Sequence, residues 1–416
     1  MTRFLDWRLR LGALMCGLGL ACAGQTQTTE PDPQPQQDPK PDPKPWLDLY
    51  GFAMLDAGYD FKQVDPNWFD VLRTTKLPSY TDQFGANGNS YWSVRQTRFG
   101  AKSEVPTSLG TLKTIFEFEL FGVGVDAGQT TFRLRHAYGE LGHFGGGQYW
   151  SAFMDPDVFP NTIEYWGPPG MPLFRNVQFR WMPIMGDSNV VIALERPGAS
   201  ADGGIYADRI ELQGVKPHFP APDITGHARL GRKWGHVQAG GIVRRIEWSN
   251  AGSGQPKVEG GVWGWGVTGS TNLKPYKDDV IKLEIVYGRG VQNYMNDAPI
   301  DVAPATNPSN AATPISGQAI PLLGFVTYYD HYWSKKLSSS IGYSGLYIYN
   351  TNAEKASDYR AGRYASANLL VYPVKNMMAG AEFIYGYRRN FSDGFHVPDY
   401  RIQFSFKYNF SFRIGG

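Results

Sequence analysis

Hydrophobic and polar residues alternate one by one along many stretches of this chain, which is the period of a β-strand. The stretch nearest the C-terminus is the clearest, because Ile402, Phe404, Phe406, Tyr408 and Phe410 are separated by polar or charged residues. Sixteen such stretches follow a proline-rich N-terminal segment, and their connections alternate between short and long. The predicted strands are residues 47–61, 91–104, 111–123, 131–141, 146–153, 177–182, 189–195, 224–233, 236–248, 260–272, 279–288, 322–333, 337–349, 364–374, 378–388 and 399–410.

An even number of strands of about ten residues, with tight turns at one end and long connections at the other, is typical of bacterial outer-membrane barrels. The chain is 42% hydrophobic and 14% aromatic, with a mean hydropathy of −0.36. This is too polar for a helical membrane protein, although it would also suit a large soluble β-protein. The pattern predicts an all-β fold, a transmembrane antiparallel β-barrel of about sixteen strands formed by residues 47–412.

The N-terminal part has the features of a targeting segment followed by a spacer. Three arginines precede a short apolar run and a small-residue cleavage pattern. Residues 1–23 are therefore predicted to be a signal peptide for export to a Gram-negative cell outer membrane. A lipid on Cys22, as the first residue of the mature chain, is the alternative. Residues 24–46 are dense in proline and predict a disordered periplasmic spacer.

One long connection, residues 154–175, is rich in proline, glycine and aromatic residues and is predicted to fold inward as a constriction loop. In the fourth predicted strand, the apolar face with His136 and Tyr138 is expected to meet lipid, and the face with Arg133 and Arg135 the lumen. The loop side chains could set a field across the constriction and stack on solutes, or they could cap turns and anchor the loop. These residues are Asp155, Asp157, Phe159, Glu164, Tyr165, Trp166, Phe174 and Arg175.

Two strands break the simple alternation. Arg95 and Arg98 cannot both point into a barrel unless a bulge lies between them. Only one of the adjacent pair Arg244 and Arg245 can point inward. The sequence therefore leaves the facing of Arg98 and of Arg244 open.

Four stretches of the sequence are distinctive: RHAYGELG, GQYWSAFMD, FPNTIEYWGPPG and RNVQFRW. They resemble the DcaP-like family of outer-membrane porins. The similarity covers about residues 46–410 and implies a sixteen-stranded, trimeric diffusion channel that prefers small organic anions such as dicarboxylates and aromatic acids. Described relatives can carry a helical N-terminal extension, whereas this chain has the proline-rich spacer.

A channel that selects anions needs fixed positive charge where its lumen is narrow, because the lost hydration of the ion must be offset. The alternative is a structural role, in which inward arginines form ion pairs with inward glutamates and stabilise the barrel wall. The translocation candidates, chosen by facing and by match to the family text, are Arg133, Arg135, Arg180, Arg229, Lys282, Arg388 and Arg401, with Arg98 and Arg244 second.

Other classes of function find little support in the sequence. No histidine has a serine two residues after it, as a barrel phospholipase would need, and no cluster has metal-ligand spacing. Lys and Arg (40) nearly balance Asp and Glu (38), so a nucleic-acid partner is not expected. We expect no catalytic residues, metal or cofactor. The expected partners are outer-membrane lipid, small anionic solutes and two further copies of this chain in a homotrimer. A surface receptor or adhesin acting through the long loops is the alternative.

Overall fold

The computed structural model describes residues 44–250, 258–276, 278–310 and 314–416. The predicted signal peptide, and the predicted spacer up to residue 43, lie outside these ranges. Within them the chain forms strands and short 3-10 helices. The strands are β1 Trp46–Asp60, β2 Asn89–Ser93, β3 Arg98–Thr107, β4 Gly110–Phe121, β5 Thr130–Leu141, β6 Phe144–Trp150, β7 Arg175–Ile184, β8 Asn189–Glu195, β9 Lys216–His218, β10 Asp223–Arg232, β11 Gly235–Ser249, β12 Glu259–Leu273, β13 Val280–Arg289, β14 Val302–Thr306, β15 Ile315–Ala319, β16 Pro321–Ser334, β17 Leu337–Ile348, β18 Tyr359–Val371, β19 Met377–Asn390 and β20 His396–Gly415. The helices are Pro66–Trp68, Thr74–Lys76, Gly124–Asp126, Pro156–Val158, Gly204–Tyr206, Ile210–Leu212 and Gln292–Tyr294.

These segments form a closed antiparallel barrel of sixteen strands, so the predicted fold class is confirmed. β20 returns to pair with β1, from Trp46 opposite Gly415 to Asp60 opposite Arg401. β2 and β3 both pair with β1 and are two halves of one barrel strand. The short β9 pairs only with the end of β11, and β14 and β15 form a separate hairpin. That hairpin lies in a connection for which the sequence predicted no strand.

The interruption between β2 and β3 is a bulge, the condition under which both Arg95 and Arg98 can point inward. Asp56 pairs with Ser93 and Phe52 pairs with Arg98, so three residues of β1 lie opposite four residues of the second strand. Arg95 and Arg98 consequently both face the lumen, where Arg95 binds Asp70.

A second bulge was not predicted and changes the facing of β5. Pairing passes from Glu117 opposite His136 to Phe118 opposite Leu134, which leaves Arg135 as the extra residue. Arg135 and His136 are therefore both buried on the lumen side. The expectation that His136 and Tyr138 share the lipid face with Leu134 is wrong for this reason. From His136 onward, the side chains have changed sides of the wall.

In β11 and β20 the alternation is as predicted. In β20, Phe404 and Phe406 are exposed on the outer face, while Arg401 and Gln403 are buried on the inner face. In β11, Arg244 is buried and Arg245 lies over the ring of the outward Trp263. Within the described ranges the structure holds no helix long and apolar enough to cross a membrane.

The short turns lie at one rim of the barrel, together with Trp46 and Gly415, the first residue of β1 and the last residue of β20. The long connections lie at the other rim. In bacterial outer-membrane barrels the short turns face the periplasm. Three long connections fold into the bore rather than away from it: residues 61–88, 151–174 and 290–300. Leu72 of the first, for example, is buried against Tyr364 and Ile384 of the wall. The hydrophobic core therefore lies inside the barrel, between these connections and the wall.

Candidate functional site

Carboxylates of the wall hold the constriction loop in place. Glu195 of β8 accepts hydrogen bonds from the backbone N–H of Ala152 (3.0 Å) and from the Ser151 hydroxyl (2.7 Å). Glu382 of β19 accepts from the N–H of Ile163 at 2.7 Å. A buried loop must find partners for its backbone N–H groups, and the wall supplies them from several strands. These contacts position the loop across the bore.

The start of the loop is fixed by Asp155. Its buried carboxylate accepts hydrogen bonds from His236 Nε2 at 2.6 Å and from the Ser270 hydroxyl at 2.7 Å. Arg229 lies 3.5 Å from Asp155 and 2.5 Å from Asp157. Burial alone would raise the pKa of Asp155, but the bonds from His236 and Ser270 outweigh it and hold that pKa below its usual value. Asp155 therefore stays ionised at neutral pH.

Asp155, Asp157 and His236 lie close enough together to share a metal ion, a proximity that their sequence spacing did not indicate. Arg229 already supplies the positive charge there, because its guanidinium contacts both carboxylates. It also donates to His236 Nδ1 at 3.1 Å, which requires the neutral ring. The geometry therefore describes an internal anchor for the loop.

Across the bore, four arginines surround two glutamates of β4. Glu119 lies between Arg98 of β3 and Arg133 of β5, each directly opposite it in the sheet. The bulged Arg135 binds Glu117 at 2.6 Å and Glu119 at 2.7 Å. Arg175, the first residue of β7, lies 3.8 Å from Glu119. We call Arg98, Arg133, Arg135 and Arg175 the arginine cluster.

The loop closes onto this cluster through Tyr165. Its hydroxyl donates to Glu119, and Arg135 donates to that hydroxyl at 3.3 Å. The Tyr165 ring stacks on Phe121, with centroids 4.1 Å apart. The Tyr165 side chain therefore connects the constriction loop to the charged wall.

A cavity of about 740 Å³ remains between the arginine cluster and the loop. Six cationic side chains line it: Arg73, Arg98, Arg133, Arg135, Arg175 and Lys407. Its aromatic lining includes Phe52, Trp68, Trp150, Phe159, Tyr165, Trp166 and Phe174. The space is therefore both positively charged and lined by flat apolar rings.

Arg73 and Lys407 were not among the residues predicted for the site. Arg73 lies in the first long connection, and its guanidinium lies 4.2 Å from the Trp68 ring and 4.1 Å from the Trp166 ring. Its charge is paired with Asp297 at 2.9 Å. The sequence treated that connection as external, so nothing in the pattern identified Arg73. Lys407 could have been found, because the alternation of the last strand places it inward.

The other predicted cations lie on the lumen side of the wall but are bound to groups of the wall or of the inward loops. Arg401 binds Asp60, Arg244 lies 3.2 Å from Asp223, and Arg388 donates to the carbonyls of Thr75, Leu77 and Ser357. Lys282 joins Asp330 to the Phe159 carbonyl, and Arg180 donates to Gln178 and to the Trp150 carbonyl. Among the described residues, the cavity lining does not include these five or Arg229.

Of the predicted loop residues, Phe159, Glu164, Tyr165, Trp166, Phe174 and Arg175 line the cavity. Glu164 turns its carboxylate away from the solute space, because it accepts from the N–H groups of Leu72 and Gly167. Burial raises the pKa of Glu164. Asp155 and Asp157 lie at the anchor described above.

A closed sixteen-stranded barrel with an inward loop and a cation-lined cavity defines an outer-membrane channel of the porin class. The sequence model of the family described as "DcaP outer membrane protein" matches residues 36–410. The chain belongs to this family, whose members are channels rather than enzymes. No curated protein matches the chain in sequence.

Solved structures of outer-membrane channels share the fold. The outer membrane channel DcaP of Acinetobacter baumannii is 20% identical, with 88% of this chain and 97% of that chain covered and a TM-score of 0.71. The anion-selective porin from Comamonas acidovorans is 8% identical, with 88% and 99% covered and a TM-score of 0.55. The trimer form of OmpT from Vibrio cholerae is 12% identical, with 88% and 99% covered and a TM-score of 0.52.

Proposed function

We propose that this channel prefers small organic anions such as dicarboxylates or aromatic acids. One observation carries the proposal: the guanidinium groups of the arginine cluster lie between the glutamates of β4 and the open cavity. The side chains of Arg98 and Arg133 are 24% and 25% exposed, whereas those of Glu117 and Glu119 are 8% and 0% exposed. A solute in the cavity therefore meets the positive groups first.

The balance of charge supports the same sign. The arginine cluster holds four guanidinium groups against two carboxylates, an excess of two positive charges. The porin of Comamonas acidovorans, which is described as anion-selective, has the same fold. The aromatic lining would suit a flat acid, whose ring could stack there.

A planar-bilayer experiment tests this proposal. The purified protein should conduct, and under a salt gradient its reversal potential should have the sign of an anion-selective channel. A reversal potential at zero, or of the cation-selective sign, would contradict the proposal. A barrel that passes no current would instead favour the receptor or adhesin, which acts through its loops alone.

We also propose a homotrimer. The outer face of β3, β4, β5 and β20 carries a contiguous group of outward phenylalanine rings, which suits contact with a second copy. OmpT of Vibrio cholerae, which shares the fold, is described in a trimer form. The mass of the detergent-solubilised complex from light scattering should equal three chains, and a single-chain mass would refute the trimer. The rings are Phe99, Phe116, Phe118, Phe132 and Phe410.

We propose, finally, that residues 1–23 are removed and that the proline-rich segment lies in the periplasm. The support is the position of Trp46, which pairs with Gly415 at the rim of short turns. N-terminal analysis of the purified protein would distinguish cleavage after residue 23 from a lipid on Cys22.

A further inference from the structure

A group of polar side chains lies on the outer face of the barrel, at the rim of long connections. Arg363 of β18 is directly opposite Tyr387 of β19, and Arg389 of β19 is directly opposite His396 of β20. The Arg363 guanidinium lies 5.1 Å from the Tyr387 ring centroid, and the Tyr387 and His396 rings are 6.0 Å apart. We call Arg363, Tyr387, Arg389 and His396 the rim patch.

The alternation of β19 fixes the direction of these side chains. Phe383, Tyr385, Tyr387 and Arg389 share the outer face, and the residues between them are buried inside. An arginine on the outer face of a membrane barrel is tolerated near the interface but not at the bilayer centre. The rim patch therefore lies at the level of the headgroups of the outer leaflet.

Apolar surface continues from the rim patch toward the middle of the wall. Phe383 and Leu369 are each 49% exposed, and Phe404 is 52% exposed. Tyr400 contacts Phe383 and Tyr385 across the β19–β20 pair. Cations at the rim above an apolar column match a lipid with a negatively charged headgroup and acyl chains.

Within the described residues, neither Arg363 nor Arg389 forms an ion pair with a carboxylate. Asp393 accepts from the Asn390 amide and from the N–H of Phe395, so its oxygens serve the local turn. Asp82 lies in a cleft of about 250 Å³ beside the rim patch, where Lys62 and His396 also lie. The patch keeps an excess of positive charge.

The same pairing of an outward arginine with an aromatic ring recurs on the next part of the wall. Arg245 of β11 is opposite Trp263, and Arg289 of β13 is opposite Trp265. Arg245 is bonded to Glu247 at 2.8 Å, so its charge is partly used. The repeat indicates a belt of outward arginines and aromatic rings near this rim.

We propose that the rim patch binds the phosphate of a phosphorylated glycolipid of the outer leaflet, with Arg363 and Arg389 as the phosphate ligands. Guanidinium groups bind phosphate through paired, charge-assisted hydrogen bonds, and a tyrosine ring between them suits the boundary of headgroup and acyl chain. The bound lipid would lie on the outside of the barrel, so this site is independent of the ion preference of the lumen.

The test is native mass spectrometry of the detergent-solubilised protein with diphosphoryl lipid A as the probe. R363Q/R389Q should bind at least about tenfold less diphosphoryl lipid A than the unchanged protein, because two charge-assisted phosphate contacts are lost. R363K/R389K, which keeps the charge but not the paired geometry, should be intermediate. The matched control is R232Q/R413Q, which removes two exposed arginines from the opposite rim and should bind normally.

Three results would overturn the proposal. The first is unchanged binding in R363Q/R389Q, with single-channel conductance showing that this variant is folded. The second is equal binding of dephosphorylated lipid A, which would mean that the acyl chains alone are recognised. The third is displacement of the lipid by inorganic phosphate at the same concentration, which would make free phosphate the ligand.

Discussion

Replacing Arg98 and Arg133 together by glutamine should bring the reversal potential close to zero and lower the anion-to-cation permeability ratio about five- to tenfold. Both side chains face the cavity, and their loss removes the two excess positive charges of the arginine cluster. Arg135 and Arg175 remain to pair with Glu117 and Glu119, so the buried carboxylates keep partners. The barrel should therefore still fold.

The size of this effect follows from electrostatics in a narrow space. A charge at roughly 5 Å contributes about 3 kcal/mol at an effective dielectric constant of about 20. Mobile salt screens part of that, and a residual of about 1 kcal/mol already changes a ratio about fivefold. Reversal potentials in planar bilayers measure the ratio directly.

A matched control separates selectivity from general damage. R245Q/R289Q removes two arginines from the outer face of the wall and should leave the reversal potential unchanged. In liposome swelling, R98Q/R133Q should slow a small dicarboxylate and leave a neutral solute of similar size unaffected. If both solutes slow equally, Arg98 and Arg133 are braces of the wall and not selectivity residues.

Replacing Asp155 by alanine should enlarge the channel. The change leaves the buried donors of His236 and Ser270 without their acceptor, which costs about 1–3 kcal/mol for each group, while Arg229 keeps Asp157. The start of the constriction loop would then detach from the wall. We expect single-channel conductance to rise about twofold, with frequent transitions between levels, because the loop then samples several positions.

D157N is the control for this prediction. Asp157 contacts Arg229 but is half exposed, and exposed ion pairs contribute little to stability. The single-channel conductance of D157N should therefore stay near that of the unchanged protein. Because the pKa of Asp155 lies below its usual 3.8, its anchoring is complete above that pH and is lost only as pH falls through the lowered value. Conductance that stays single and unchanged in D155A would show that the remaining wall contacts suffice.

The barrel could be predicted from the sequence because each strand carries its own facing signal. The period of two in β20 gives the lipid side and the lumen side without knowledge of any neighbour. Bulges escape this reasoning when nothing in the pattern conflicts. In the second strand, Arg95 and Arg98 made the conflict visible. In β5 the residues up to His136 and Tyr138 alternate as in a regular strand, so the pattern gave no sign of the bulge.

The site was less accessible to prediction because it depends on how the connections fold. Arg133 and Arg135 were identified by strand facing together with their match to the family sequence, and Tyr165 and Arg175 by their place in the loop. Whether an inward arginine meets solute or a loop carbonyl cannot be read from alternation, and Arg388 and Arg401 differ from Arg133 only in that respect. Arg73 enters the cavity through a connection that the pattern assigned to the outside.

The attachment of the constriction loop has a consequence for the order of assembly. Its partners come from β8, β11, β12 and β19, which are far apart in the chain and converge only when the last strand meets the first. The loop therefore has no complete docking surface until the seam between β1 and β20 closes. The constriction is therefore completed late in assembly, after the barrel has closed in the membrane.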